Sequence, residues 1–243
     1  MEETAFSRSC LMLGETGADA LARARILIVG CGGVGGWCAE ALVRTGAKNL
    51  VLVDSDLVAP SNTNRQAMAD STTIGTPKVE ALRERLLRIS PEAQIAALQM
   101  RYEPGAPAED PFNFSRYSFV IDAIDSIDAK AALIKAAIAS PQTTLLSSMG
   151  AALKFDPTMV RKGAFSKVEG DAIARALRHR FKEDGWPVRD FTCVWSSERP
   201  HAAARGDGCN GSLMQVTAAF GLALASLVIS RVSANVSLPL HPA

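Results

Sequence analysis

Residues 25–36 read RILIVGCGGVGG, and this stretch decides the fold. Arg25 to Gly30 is a near-continuous apolar run, as expected of a strand covered on both faces. Gly30, Gly32, Gly33 and Gly35 follow where that strand would turn into the helix of CGGVGGWCAEALVRTGA, residues 31–47. Without Cβ atoms they let the backbone turn sharply and approach a ligand closely, and the amides at such a helix start can face phosphate. NLVLVD, residues 49–54, supplies the next strand and ends in Asp54, close to the ~20-residue interval at which an acid meets a nucleotide ribose. The bland alternative is glycine used only for close strand–helix packing.

Working outward, Thr76-Pro77 predicts another helix, with threonine as N-cap and proline in the first turn. Val79, Leu82, Leu86 and Ile89 then recur at helical spacing. QIAALQM (94–100), SFVIDAI (118–124) and TTLLSS (143–148) read as short apolar strands, with an alanine-rich helix around Lys130–Ala139 between the last two. This alternation predicts a doubly wound, Rossmann-like α/β fold with a mostly parallel sheet. After Met149 the pattern weakens. ALKFDPTMVRKGA (152–164) predicts a short antiparallel excursion, DAIARALRHRFKED (171–184) a helix, DFTCVWS (190–196) a strand and RPHAAARGDGCNG (199–211) an irregular polar loop. We read one domain: an N-terminal arm over 1–24, a nucleotide-binding core over 25–148, and a substrate and dimer region with a C-terminal apolar helix over 149–243.

The chain has 243 residues, 48% of them apolar, and a formal net charge of +1, so any nucleic-acid contact must be local rather than the work of a global field. MEETAFSRSC lacks the form of a secretory signal, which points to the cytoplasm. Cys10, Cys31, Cys38, Cys193 and Cys209 form no C-x-x-C pair, so neither zinc nor a disulfide framework is expected. SLMQVTAAFGLALASLVIS, residues 212–230, carries no charge and is long enough to cross a bilayer. Gln215, Thr217, Gly221 and its alanines favour a core helix, with membrane association as the second reading.

The charges beyond Asp54 separate two chemistries. Hydride transfer needs a positioned nicotinamide and no extra cations. Nucleotidyl transfer must neutralise charge growing on pyrophosphate, which calls for arginine, lysine and magnesium. Asn62, Asn64, Arg65 and Gln66 follow the second strand, Lys78 opens the next helix, and Asp122 and Asp125 close the fourth strand. All would lie near the carboxyl edge of the sheet, where doubly wound folds bind ligands. Each also has a plain alternative: Arg65 a solvated loop charge, Lys78 an ordinary first-turn side chain, Asp125-Ser126 a helix cap.

The ordered set FSRSCLMLGETGADAL, ARILIVGCGGVGG, VDSDLVAPSNTNRQ, IGTPKVEAL and VIDAIDSIDAKAAL resembles the ubiquitin-activating, molybdopterin-synthase-activating and thiamine-biosynthesis (ThiF-like) adenylyltransferases, from Arg8 through Asp128. The resemblance implies ATP and Mg2+: Asp54 on the ribose, Asn62, Arg65 and Lys78 on the phosphates, Asp125 on magnesium, and Arg8 reaching the partner's site in a homodimer. Asp56, Asn64, Gln66 and Ser126 complete the implied nucleotide site. SSMGAALKFDPT, SKVEGDAIARALR and DFTCVWSSERP are similar to the branch that acts on threonylcarbamoyladenosine in tRNA. That similarity implies carboxylate adenylation followed by cyclodehydration. Ser126 stands where many relatives have Asn, and Ala172-Ile173 where that branch often reads Pro-Leu.

Other readings stay open: adenylation of the C-terminus of a ubiquitin-like or sulfur-carrier protein, with Cys193 near the thiol-relay region, or a non-catalytic ATP-responsive binding module. An NAD dehydrogenase ranks behind both. Arg175, Arg178 and Lys182 recur at helical spacing, with Ile173, Leu177 and Phe181 turned inward, as either a solvated basic face or a tRNA contact.

Overall fold

The computed structural model describes residues 5–105, 109, 111–206 and 209–234; the ends of the expected arm and of the C-terminal region lie outside these. Seven strands form one sheet: β1 (Arg25–Val29), β2 (Asn49–Val53), β3 (Gln94–Leu98), β4 (Phe119–Asp122), β5 (Thr144–Ser148), β6 (Val160–Ala164) and β7 (Thr192–Ser196), in the order β3-β2-β1-β4-β5-β7-β6. Every pairing is parallel except β6 with β7. That is the expected doubly wound sheet with its antiparallel excursion. The chain reverses direction across the sheet between β1 and β4, which opens a crevice at their carboxyl ends.

Among the described residues, six α-helices accompany the sheet: α1 (Ser7–Arg23), α2 (Gly35–Thr45), α3 (Lys78–Ile89), α4 (Ile127–Ala139), α5 (Ala172–Asp184) and α6 (Met214–Ala234). One apolar layer joins α2, α3 and α6 to one sheet face through Leu42, Leu82, Phe220 and Leu224; the other joins α4 and α5 through Leu133, Ile134, Leu177 and Phe181. β1 buries Ile26, Leu27, Ile28 and Val29 between these layers, which is why it reads as unbroken apolar sequence.

Local chemistry sets the ends. α2 stops at Gly46, whose φ of 117° suits a left-handed C-cap. α5 starts at Asp171, whose carboxylate accepts from the Ala174 amide at 2.9 Å. α3 starts one residue later than expected: Pro77 is the N-cap and Thr76 lies outside. A bridge between Leu57 and Pro77 holds that approach extended, and the Lys78 amide donates to the Asp56 carbonyl at 2.9 Å.

The segment read as a core helix or membrane span is α6, running from Met214 to Ala234 with a mean hydropathy of 1.7 in its most apolar window. It packs against α2. A Cβ at Gly221 would lie 2.5 Å from the Val34 carbonyl oxygen, so the two backbones touch where only glycine fits. α6 therefore packs into the core along one face, through Val216, Phe220, Leu224 and Val228. The described part of the N-terminal arm is largely helical, bent at Gly14 (φ 67°). One further expectation shifts: the segment read as an irregular loop over 199–211 contains a small antiparallel ribbon of β8 (Arg205–Gly206) and β9 (Cys209–Asn210).

Candidate active site

A cleft of about 1030 Å³ opens at the carboxyl edge of the sheet, across the crevice between β1 and β4. Its floor is the glycine turn. Gly30 has φ 93°, and a Cβ there would lie 2.5 Å from the Ala123 carbonyl oxygen. At Gly35 a Cβ would fall 1.8 Å from the Gly30 carbonyl oxygen, so this glycine serves the turn and does not line the cleft. Gly32 and Gly33 do line it.

Asp54 closes β2. Its carboxylate accepts from the Cys31 amide at 2.7 Å and the Asp56 amide at 2.9 Å, which ties the acid to the glycine turn. Beyond it, residues 55–66 fold back across the cleft. Asn62 is buried, and its side-chain oxygen accepts from the Ala59 amide at 3.0 Å. Trp37 of α2 donates its indole N–H to the Arg65 carbonyl at 2.9 Å and so fixes the base of that arginine. The Arg65 guanidinium donates to the Ser61 carbonyl and the Asn64 side chain, both at 2.8 Å. Asn64 points away to the Ser212 carbonyl at 2.8 Å and does not line the cleft. Gln66 lines it but is buried.

Lys78 enters from the start of α3. Its ammonium lies 2.7 Å from the Asp56 carboxylate, with side-chain exposures of 9% and 56%. Hydrogen bonding to Lys78 holds the Asp56 carboxyl below the usual aspartate range, against the opposing effect of partial burial. A cation at a helix N-terminus opposes the helix dipole, so an anion must accompany it. Asp56 fills that role in the structure.

On the opposite wall, Asp125 and Ser126 are exposed and line the cleft. Ser126 occupies the N-cap of α4 without a side-chain capping bond, so the pair does not serve as the expected cap. Among the described residues no cluster of three or more acidic, His or Cys side chains could hold a metal. The single Asp125 carboxylate on this wall nonetheless suits Mg2+, which is usually bound by one or two carboxylates together with substrate phosphates and water.

Two expectations need correcting. Asp122 does not face the cleft; it is fully buried behind it, 2.8 Å from the Lys130 ammonium, because the β4 end places it under the following turn. Arg178 is not a solvated tRNA-facing cation. It donates to the Phe165 and Val168 carbonyls at 3.1 and 2.6 Å and lies over the Phe165 ring. Ile173 packs against the core that holds Leu177 and Phe181, as read, and also lines the cleft. Cys193 is fully buried, as the plain reading of a strand cysteine has it, and burial, with Asp171 and Asp190 nearby, pushes its thiol up to about 12. Arg8 sits exposed on α1 and does not line this chain's cleft.

Sequence reading missed other parts of the wall. Arg101 and Tyr102 follow β3, Gly150 and Ala151 follow β5, and Cys209 and Asn210 come from the ribbon. The only available signal was position: these are loops after parallel strands. Asp171 connects two such pieces, since its carboxylate accepts from the Gly150 amide at 3.0 Å while capping α5.

Glycine turn, ribose-distance acid, two cations and a facing carboxylate at a switch point define a nucleotide-binding α/β protein equipped to stabilise phosphate charge. The chain belongs to the ThiF family, whose profile matches residues 6–241. It is 37% identical to tRNA threonylcarbamoyladenosine dehydratase of Bacillus subtilis, over 80% of this chain and 75% of that one. It is also 37% identical to the Escherichia coli enzyme of the same name, over 79% and 73%. The crystal structure of the E. coli dehydratase TcdA in complex with ATP superimposes with a TM-score of 0.84 at 34% identity, covering 95% of this chain and 94% of that one.

Proposed function

We propose that this protein uses ATP to activate the carboxylate of threonylcarbamoyladenosine in tRNA and closes it to the cyclic form with net loss of water. One observation carries the reading: Asp54, Arg65, Lys78 and Asp125, from four different segments, line one cleft over a glycine turn. The kinship with the bacterial dehydratases supports the substrate.

The chemistry follows from the positions. A carboxylate oxygen attacks the α-phosphorus of ATP; the bond to the bridging oxygen breaks and pyrophosphate leaves, giving an acyl adenylate. Arg65 and Lys78 stabilise the charge that grows on the leaving phosphates, a contribution realised in the transition state. Lys78 must exchange its partner Asp56 for phosphate as the nucleotide enters. Asp54 holds the ribose, and the amides of the glycine turn face the phosphates. Asp125 would hold Mg2+, which neutralises phosphate charge when bound. The carbamoyl group of the same substrate then attacks the activated carbonyl, the bond to the adenylate oxygen breaks, AMP departs and a proton is released. No thiol takes part, consistent with the buried, proton-bound Cys193.

The protein acts as a homodimer in which Arg8 of α1 serves the neighbouring site. Leu11 and Met12, beside it on α1, are 71% and 77% exposed, as expected of a face that a second copy covers. Arg175 and Lys182, the exposed cations of α5, contact tRNA phosphate. The test is direct: incubate protein, ATP, Mg2+ and tRNA bearing the modification, and follow the nucleoside mass together with AMP. Loss of one water with matching AMP is expected; AMP formation without that loss, or neither, overturns the assignment.

A further inference from the structure

The geometry points to Lys130 as a positioning residue for the adenylation site, acting with Asp122 to fix the turn that presents Asp125. This rests on the adenylation reading above. Lys130 and Asp122 are both 0% exposed, and nothing in the mechanism places either against substrate. The Lys130 ammonium donates to Asp122 Oδ2 at 2.8 Å and to the Ile124 carbonyl at 2.9 Å. Asp122 Oδ1 accepts from the Ile124 amide at 3.2 Å, and Oδ2 accepts from the Ser147 hydroxyl of β5 at 2.6 Å. The ion pair therefore grips both the N–H and the C=O of Ile124, the residue before Asp125.

The other side of the same turn is equally constrained. The Ala123 amide donates to the Val29 carbonyl at 2.8 Å, and the Ala123 carbonyl presses so closely on Gly30 that a Cβ there would lie 2.5 Å away. Residues 123–124 are thus clamped between the phosphate-facing glycine turn and a buried charge pair. Asp125 follows directly, exposed and lining the cleft. Replacing a buried ion pair with apolar residues is often neutral or stabilising, so stability alone is a weak reason for carrying two charges at zero exposure. Setting the direction of the Asp125 carboxylate is the reason the geometry supplies. The pair does for this carboxylate what outer-shell hydrogen bonds do for metal ligands generally.

The test uses the full chain and needs no turnover. Mn2+ replaces Mg2+ as a paramagnetic probe, and its binding is titrated by electron paramagnetic resonance in the presence of ATP. The double variant Asp122→Asn/Lys130→Met removes both charges together and leaves no unpaired ion. We expect it to bind ATP alone like wild type but to bind Mn2+·ATP about 10–100-fold more weakly, with kcat falling and the KM for tRNA unchanged. Wild-type Mn2+·ATP affinity in a folded double variant overturns the proposal. If that variant fails to fold, Ser147→Ala decides, with weakened Mn2+·ATP binding in support and unchanged binding against. A wild-type protein that makes no AMP would strike the adenylation reading and leave this binding measurement standing.

Discussion

Substituting Lys78→Met separates the work of this side chain in catalysis from its place in the fold. Methionine keeps the buried stem and removes the ammonium, so the structural loss reduces to one ion pair. Asp56 is 56% exposed and stays solvated when its partner is gone, which limits the pair to about 1 kcal/mol or less. For a chain of this size that is a fall in thermal midpoint of roughly 2–4 °C at most. The transition state is a different matter. Removing one preformed donor to a developing oxyanion typically costs about 2.7–4 kcal/mol, or ~10²–10³ in kcat. The assay is AMP release with modified tRNA, run beside calorimetric melting and an Asp56→Asn variant. Asp56→Asn removes the resting partner but leaves the ammonium for phosphate, so it should retain far more activity than Lys78→Met. A Lys78→Met protein with near-wild-type turnover, or an Asp56→Asn protein equally inactive, would refute the reasoning.

The same pair predicts a pH signature. Lys78 holds the folded Asp56 carboxyl below its unfolded value, so the stabilisation is complete above that value, about 3.9, and is lost as pH falls through the lower folded value. The stability gap between wild type and Lys78→Met, measured by urea unfolding, should accordingly be constant at neutral pH and shrink below about pH 4. Asp125→Ala, at an exposed position beside an unused cap, should leave the melting temperature unchanged while AMP formation collapses; normal AMP formation would remove Asp125 from the site. Gly30→Ala forces a Cβ to 2.5 Å from the Ala123 carbonyl at φ 93°, so a loss of about 1–3 kcal/mol in stability together with weakened ATP binding is expected by denaturation and dialysis. Cys193→Ala should keep full turnover, and the native thiol should resist iodoacetamide until the protein unfolds, since burial keeps it protonated.

The nucleotide half of the molecule was legible because its requirements are local. A strand covered on both faces must be apolar throughout, a strand-to-helix turn with so close a backbone approach must be glycine, and Asp54 follows the end of β2; the structure places all three as read. The second half was less legible because its contacts are long-range. Nothing in GDGCNG announces that Cys209 and Asn210 form a ribbon that reaches the cleft, and nothing near Arg178 reveals that two carbonyls from residues 165 and 168 capture it. Asp122 misled for a simpler reason. Strand ends alternate between faces, so an acid at the carboxyl edge can point under the turn as readily as into the cleft, and the fully buried Lys130 decides which.

The central claim is transfer of AMP to a substrate carboxyl, and an oxygen label tests it most directly. With both carboxylate oxygens of the threonylcarbamoyl group carrying 18O, attack on the α-phosphorus followed by attack on the acyl carbon leaves one labelled oxygen in AMP and one in the cyclic product. Mass spectrometry of AMP from a single turnover should show that one label. Unlabelled AMP, or ADP in its place, would contradict the account.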